Sequence, residues 1–107
     1  MRATLDLLIL KSLVWEPRHG YGISEWVESV TDGSLLMEEG TLYPALHRLR
    51  GKGLVESEWG LSENNRRAKY YRLTTVGKRH LRAESATWTR YTEVVARALA
   101  METPGGE

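Results

Sequence analysis

The residues from Glu38 to Val55 have the types and the spacing of a helix that could bind a nucleic acid. Leu42, Leu46 and Leu49 recur at helical spacing and form one apolar stripe. The opposite face has no acid between Gly40 and Lys52, and it is small and basic: Gly40, Pro44, His47, Arg48 and Gly51. A DNA major groove is wide enough to admit such a helix. An ordinary surface helix with a few basic residues explains this stretch, taken alone, equally well.

Pro44 restricts where this helix can begin. A proline inside a helix removes one backbone hydrogen bond and crowds the carbonyl four residues earlier, which here belongs to Gly40. If the helix begins near Glu39 or Gly40, the proline lies close to the first turn, where little bonding is lost. The sequence Gly51-Lys52-Gly53 ends the helix, and an extended run follows. The sequence therefore predicts a recognition helix followed by the first strand of a wing.

Composition predicts one small globular domain and argues against several classes of site. The chain has 107 residues, of which 41% are hydrophobic and 27% are charged. With no cysteine, a disulfide framework or a thiolate metal site is excluded, which suits a reducing cytoplasm. His19 and His80 have no partner at metal-ligand spacing, and no catalytic triad or glycine-rich phosphate loop occurs. We therefore expect no metal, no cofactor and no enzymatic activity.

The charges are distributed unevenly along the chain. The net charge is only +1, so the overall balance gives no argument for nucleic acid. Between Asn64 and Ala83, however, there is no acid, and the basic residues there are Arg66, Arg67, Lys69, Arg72, Lys78, Arg79 and Arg82. Such local asymmetry is what a phosphate backbone requires, although a charge run is more often a solvated face.

The first half of the chain predicts two further helices. One spans Arg2 to Trp15 and is ended by Pro17, and its apolar residues cover most of its circumference. Its apolar run is interrupted by Asp6, Lys11 and Ser12 and is shorter than a membrane span requires. We therefore expect a buried helix. A turn at residues 19–22 leads into a second helix from Ile23 to Val30, and residues 34–37 suit either a brief strand or a tight connection.

The second half predicts a hairpin and a long helix. Leu54 to Trp59 and Ala68 to Leu73 alternate with a period of two, and residues 63–66 would form the tip of the hairpin. Thr74 is a suitable N-cap for a helix from about Thr75 to about Met101. The fold class is thus mainly α with a small β-hairpin wing, a winged helix-turn-helix plus a long carboxyl-terminal helix. The predicted divisions are residues 1–74 for nucleic-acid binding, 75–102 for dimerisation and 103–107 as a flexible tail.

Several short motifs occur in a fixed order along residues 19–77: His19-Gly20-Tyr21-Gly22, Glu39-Gly40-Thr41-Leu42-Tyr43-Pro44-Ala45-Leu46, Gly53-Leu54-Val55, Trp59-Gly60, and Lys69-Tyr70-Tyr71-Arg72-Leu73-Thr74 with Gly77. In this order they closely resemble the PadR family of bacterial transcriptional regulators, and the resemblance covers roughly residues 5–80. It implies a homodimeric repressor of the short branch, which has one carboxyl-terminal helix. Two positions depart from the pattern. Asn64-Asn65 stands where many members have a glycine pair, and Glu38 stands where serine is common.

The candidate DNA-binding residues lie on the second helix, the recognition helix and the wing. We expect His47 and Arg48 to donate hydrogen bonds in the groove, and Thr41 and Tyr43 to contact phosphates or base edges. The resemblance places the threonine and tyrosine at the DNA and Tyr21 at its backbone, although both tyrosines could equally be packing residues. The full set is Tyr21, Gly40, Thr41, Tyr43, Pro44, His47, Arg48, Asn65, Arg66, Arg67 and Lys69.

The last helix carries a pattern typical of a dimer seam. Leu81, Trp88 and Val95 are spaced by seven, and Tyr91 and Ala98 form a second row. With leftover apolar surface of the first helix, this seam predicts a homodimer. Two copies would then contact DNA half-sites about one turn apart.

A ligand site is predicted at the same seam. Two symmetry-related copies of Trp88, beside Leu7 and Lys11 of the first helix, could sandwich a planar aromatic effector, and Thr92 could orient it. The alternative is that Trp88 only fills the seam. The sequence as a whole therefore predicts a dimeric regulator that binds a double-stranded DNA operator. The competing hypothesis is a protein interaction module that uses the winged fold without DNA.

Overall fold

The computed structural model describes residues 2–105, with the side chains of residues 4–105. In that part of the chain, helices and strands follow in the order α1 (Arg2–Ser12), β1 (Arg18–His19), α2 (Gly20–Val30), α3 (Glu39–Gly51), β2 (Val55–Leu61), β3 (Arg67–Leu73) and α4 (Thr75–Leu99). The strands form one antiparallel sheet in the order β1-β3-β2. This confirms the predicted fold class. Residues 106 and 107 of the predicted tail lie outside the described residues.

Helix α1 ends at Ser12, so the prediction that it continues to Trp15 and is ended by Pro17 is wrong. The Ser12 hydroxyl donates to the carbonyl of Ile9 at 2.6 Å, and the Ser12 carbonyl accepts a hydrogen bond from Nε of Arg18 at 2.7 Å. A side chain six residues later therefore satisfies a carbonyl that is free at the helix end. The helix therefore ends five residues before the proline, at a carbonyl that the Arg18 side chain satisfies.

The connection from α1 to α2 differs from the predicted turn at residues 19–22. Arg18 and His19 form the short strand β1, which pairs with Tyr71 and Tyr70 of β3. Helix α2 then begins at Gly20, three residues earlier than predicted, because the Nδ1 atom of His19 accepts a hydrogen bond from the backbone N–H of Gly22 at 3.0 Å. Residues 34–37, by contrast, form a connection without strand structure.

The hydrophobic core lies where the helices meet the base of the hairpin. Its buried members come from every helix and from both long strands: Ile9, Leu10, Leu13, Ile23, Val27, Met37, Leu42, Ala45, Leu46, Leu49, Leu54, Val55, Tyr71, Leu73 and Leu81. The apolar stripe predicted for α3 is thus confirmed as its buried face. Burial of this stripe orients the helix and leaves the opposite face at the surface.

Helix α4 begins as predicted and extends beyond the core. The Thr74 hydroxyl accepts a hydrogen bond from the backbone N–H of Gly77 at 2.9 Å, which confirms Thr74 as the N-cap. Within α4, only Gly77 and Leu81 are buried. Most of a helix about 37 Å long is therefore uncovered by the described part of its own chain. No helix within residues 2–105 combines the length and the apolar character that crossing a membrane requires.

Candidate nucleic-acid interface

Helix α3 begins at Glu39 although Glu38 makes no side-chain cap. The backbone carbonyl of Glu38 accepts hydrogen bonds from the N–H groups of Thr41 at 3.0 Å and Leu42 at 2.8 Å. With this start, Pro44 lies in the second turn, slightly further into the helix than the predicted edge of the first turn, and the residue four positions earlier is Gly40. The outer face of the helix is exposed at Gly40, Thr41, Tyr43, Pro44, His47, Arg50 and Gly51.

Arg48, predicted to contact the groove, is less exposed than the rest of the outer face because it pairs with an acid of α1. Its Nη2 atom donates a hydrogen bond to Oδ1 of Asp6 on α1 at 2.8 Å, and the two side chains are only 27% and 18% exposed. The Arg48 Nε atom is buried without a hydrogen-bond partner among the described residues. At its helical position the side chain points toward α1, so its charge is neutralised inside the protein.

Arg50 is an exposed cation of α3 that the sequence analysis did not single out. Its Nη1 atom donates to the Ser57 hydroxyl at 3.3 Å, so the side chain leans toward β2. It lies on the flank opposite Arg48, on the side of the wing. Its position in the sequence could have indicated this. Arg50 follows Leu42 by eight residues, which places it about 80° around the helix axis from Leu42, at the border of the apolar stripe.

Tyr43 packs across the start of α2. A Cβ atom added to Gly20 would lie 2.7 Å from Cζ of Tyr43, so the glycine leaves the space that the phenol ring occupies. Tyr21, the next residue, is 70% exposed and is therefore not a core-edge aromatic. The fold thus brings the two candidate tyrosines, from α2 and α3, to the same surface.

The tip of the wing is a tight turn that contains Asn64 and Asn65, the two residues that stand where the resembled family often has glycines. The backbone N–H of Asn65 donates to the carbonyl of Ser62, and that of Ser62 donates to the carbonyl of Arg66, both at 2.8 Å. Asn65 has a φ of 59°, in the left-handed region. Asparagine adopts this region more readily than most residues with a side chain, which explains why it can replace glycine here. The hairpin itself is confirmed, with strands slightly longer than predicted.

The two faces of the hairpin carry opposite charges. On one face, Nε of Arg72 donates to Glu56 at 2.7 Å, and Glu58 lies 3.9 Å from the same guanidinium. On the other face, Cζ of Arg67 lies 4.4 Å and Nζ of Lys69 lies 5.3 Å from the ring centroid of Trp59. The acids of β2 are therefore held away from the face that carries the candidate basic residues. Trp59 was missed as a member of the site, although the alternation of β2 places it on this face.

A cleft of about 590 Å³ lies between the wing and the starts of α2 and α3. It unites candidates from three separate segments and is lined by His19, Gly20, Tyr21, Tyr43, Trp59, Ser62, Glu63, Asn64, Arg66, Arg67, Ala68, Lys69 and Tyr71. Burial raises the pKa of the Tyr71 phenol, while the charge of Arg50 acts in the opposite sense. A neutral phenol, several aromatic faces and three cations can together hold a phosphodiester chain.

The predicted dimer and ligand residues are only partly available at the surface. Leu81 is 8% exposed and belongs to the core of its own chain, so little of its side chain is available to a partner subunit. The Lys11 ammonium lies 5.1 Å from the ring centroid of Trp15, and the groove beside it is lined by Leu81 and Ser85 but not by Trp88.

The remaining seam and ligand residues differ in how far they are exposed. Trp88 is 40% exposed and Tyr91 is more so, whereas Val95 is half-buried and Ala98 is exposed. Leu7 is partly buried against the core. The Thr92 hydroxyl lies 3.1 Å from the carbonyl of Trp88, so its donor is used within the helix.

Comparison with known proteins agrees with this geometry. The model of the Transcriptional regulator PadR-like family matches residues 9–83. A PadR family transcriptional regulator from Eggerthella lenta has 37% identity and a TM-score of 0.78, over 94% of this chain and 86% of that one. A transcriptional regulator from Clostridium thermocellum has 31% identity and a TM-score of 0.81, over 90% and 93% of the two chains. An uncharacterized protein from Lysinibacillus sphaericus is 33% identical over 95 residues, which are 89% of this chain and 87% of the relative.

The helical core, the hairpin and the exposed helix α3 define a winged helix-turn-helix protein. Because the family match covers well over half of its length, this chain belongs to the PadR-like family of transcriptional regulators. The resemblance inferred from the short motifs is confirmed, and transcription regulation is the role of the family.

Proposed function

We propose that this protein is a homodimeric repressor of transcription that acts in the cytoplasm by binding a specific double-stranded DNA operator, without catalysis. The cleft between the wing and the starts of α2 and α3 is the observation that carries the proposal. Tyr21, Tyr43, Arg66, Arg67 and Lys69 come from three segments of the chain and line this one surface.

The outer face of α3 adjoins this cleft and suits a major groove. Gly40, Thr41, Pro44 and His47 are exposed there, and none of them is an acid. Small residues allow close approach, and the helix is held firmly by its buried leucines. In the proposed complex this face reads base edges, while the wing and the tyrosines contact phosphates.

Affinity for duplex DNA is expected to fall as salt increases, because each cation that neutralises a phosphate releases counterions. Replacing Arg66 with alanine should lower the affinity for all sequences and reduce the slope of log K against log salt by about 0.9. Fluorescence anisotropy with a labelled duplex of random sequence measures both quantities. Absence of binding even at low salt would overturn DNA binding and favour a protein interaction module.

The proposed dimer forms through the exposed face of α4 and the partly buried apolar residues of α1. Trp88, Tyr91 and Ala98 are exposed on α4, and the buried residues of this helix are Gly77 and Leu81, both in its first two turns. Symmetric packing of two such helices would bury these side chains and set two α3 helices about one DNA turn apart. A mass of about one chain, measured by light scattering at micromolar concentration, would overturn this arrangement.

We also propose a planar aromatic effector that stacks between the two copies of Trp88 in that dimer. Lys11, Leu7 and Thr92 would line the site from the neighbouring helices, and occupancy would loosen operator binding. Planar cationic or phenolic compounds should quench tryptophan fluorescence, and the quench should shrink in Trp88→Leu while the dimer persists. An unchanged quench in this variant would place any ligand elsewhere and leave Trp88 as a packing residue.

A further inference from the structure

Trp59 and two cations of the wing form a cluster, here called the wing cluster, on one face of the hairpin. Trp59 and Lys69 are directly opposite each other in the register of β2 and β3, and Arg67 lies diagonally, opposite Leu61. The Arg67 guanidinium is 4.4 Å and the Lys69 ammonium is 5.3 Å from the ring centroid of Trp59. Both distances are within the range of about 6 Å over which a ring face attracts a cation.

The position of Trp59 shows that the indole is not needed for the core. The same hairpin face is buried at its base, where Val55 is 1% exposed, but it leaves the core toward the tip. Trp59 is 56% exposed and lines the cleft that also contains Tyr43. The two cations lie over this exposed ring rather than over a core residue.

Arg66 and Arg67 are neighbours in the chain but differ in their support. Arg67 rests on the indole, whereas the Arg66 side chain makes no hydrogen bond, ion pair or aromatic contact within residues 4–105. Both line the cleft. The wing thus contains one supported guanidinium and one unsupported guanidinium side by side, which makes a natural internal control.

We propose that Trp59 is a positioning residue that holds Arg67 and Lys69 in place for the DNA backbone before DNA arrives. This inference rests on the proposed DNA-binding function. Arginine and lysine side chains lose much rotamer freedom when a phosphate fixes them, and the ring removes part of that freedom in the free protein. A guanidinium stacked by its face keeps its N–H groups at the edge, where they can donate to phosphate oxygens.

The test measures binding to a labelled duplex of random sequence across a salt series. Trp59→Leu is expected to weaken binding about 3- to 10-fold at any one salt concentration. The salt slope should stay the same, because the number of cations is unchanged. Arg67→Ala and Arg66→Ala should each reduce the slope by about 0.9, because each removes one neutralised phosphate.

Double variants separate positioning from other roles. The loss caused by Trp59→Leu should largely disappear in an Arg67→Ala, Lys69→Ala background and persist in full in an Arg66→Ala background. Trp59→Tyr, which retains a ring face, should recover most of the affinity lost in Trp59→Leu. Thermal unfolding followed by circular dichroism checks that each variant is folded.

Three results would overturn the inference. An equal loss from Trp59→Leu in every background would mean that the indole contacts DNA itself or only supports the hairpin. A changed salt slope in Trp59→Leu, or failure of Trp59→Tyr to recover affinity, would also contradict positioning. Absence of salt-dependent binding by the wild type is distinguishable from these outcomes, because it overturns the proposed DNA binding and the inference with it.

Discussion

Gly77→Ala is expected to lower the free energy of unfolding by about 3 kcal/mol. A Cβ atom at this position would overlap the backbone carbonyl oxygen of Leu54. That oxygen already accepts a hydrogen bond from the backbone N–H of Thr74 at 3.1 Å, so it cannot move without breaking the junction between α4 and the hairpin. Urea unfolding followed by circular dichroism measures the change as a lower transition midpoint.

Gly51→Ala is the matched control for this prediction. Nothing lies within 4 Å of a Cβ atom added to Gly51, which is also helical. Alanine there should leave stability unchanged or raise it by up to about 1 kcal/mol, because it reduces the freedom of the unfolded chain. Equal transition midpoints for the two variants would show that α4 does not approach Leu54 as closely as the structure indicates.

Arg48→Ala is expected to reduce stability by about 1 to 3 kcal/mol. The substitution leaves the Asp6 carboxylate, which is only 18% exposed, without its partner at 2.8 Å. It should leave the salt slope for DNA binding nearly unchanged, because this guanidinium is already neutralised within the protein. The expected result is therefore a loss of stability, whereas replacing a residue that contacts bases would change the sequence preference of DNA binding.

Two further variants test whether the effect belongs to the ion pair. Asp6→Ala combined with Arg48→Ala should destabilise less than the sum of the single substitutions, because each partner acts through the other. Arg50→Ala, on the same helix but exposed, should change stability by no more than about 0.5 kcal/mol. If Arg48→Ala left the midpoint of urea unfolding unchanged and weakened DNA binding selectively at one base pair, the result would show that Arg48 contacts a base in the major groove.

The sequence by itself determined the elements whose signals are local. Leucine spacing predicted α3 and its buried face, alternation predicted the hairpin, and Thr74 predicted the start of α4. Each of these depends on residues within one or two turns, so the pattern is readable without the fold. Arg66 was singled out by the acid-free basic run between Asn64 and Ala83, and Tyr43 was placed at the DNA with the help of the family resemblance.

The tertiary structure alone decided which residues from distant segments of the chain contact each other. Arg48 forms an ion pair with Asp6, which lies 42 residues earlier in the chain on α1. β1 exists because β3 offers a free edge to two residues that have no strand pattern of their own. Leu81 has the spacing of a seam residue, but its own core buries it. Periodicity specifies which face of an element is apolar, whereas the neighbour that covers a face, or pairs with a charge, is set by the packing of separate segments.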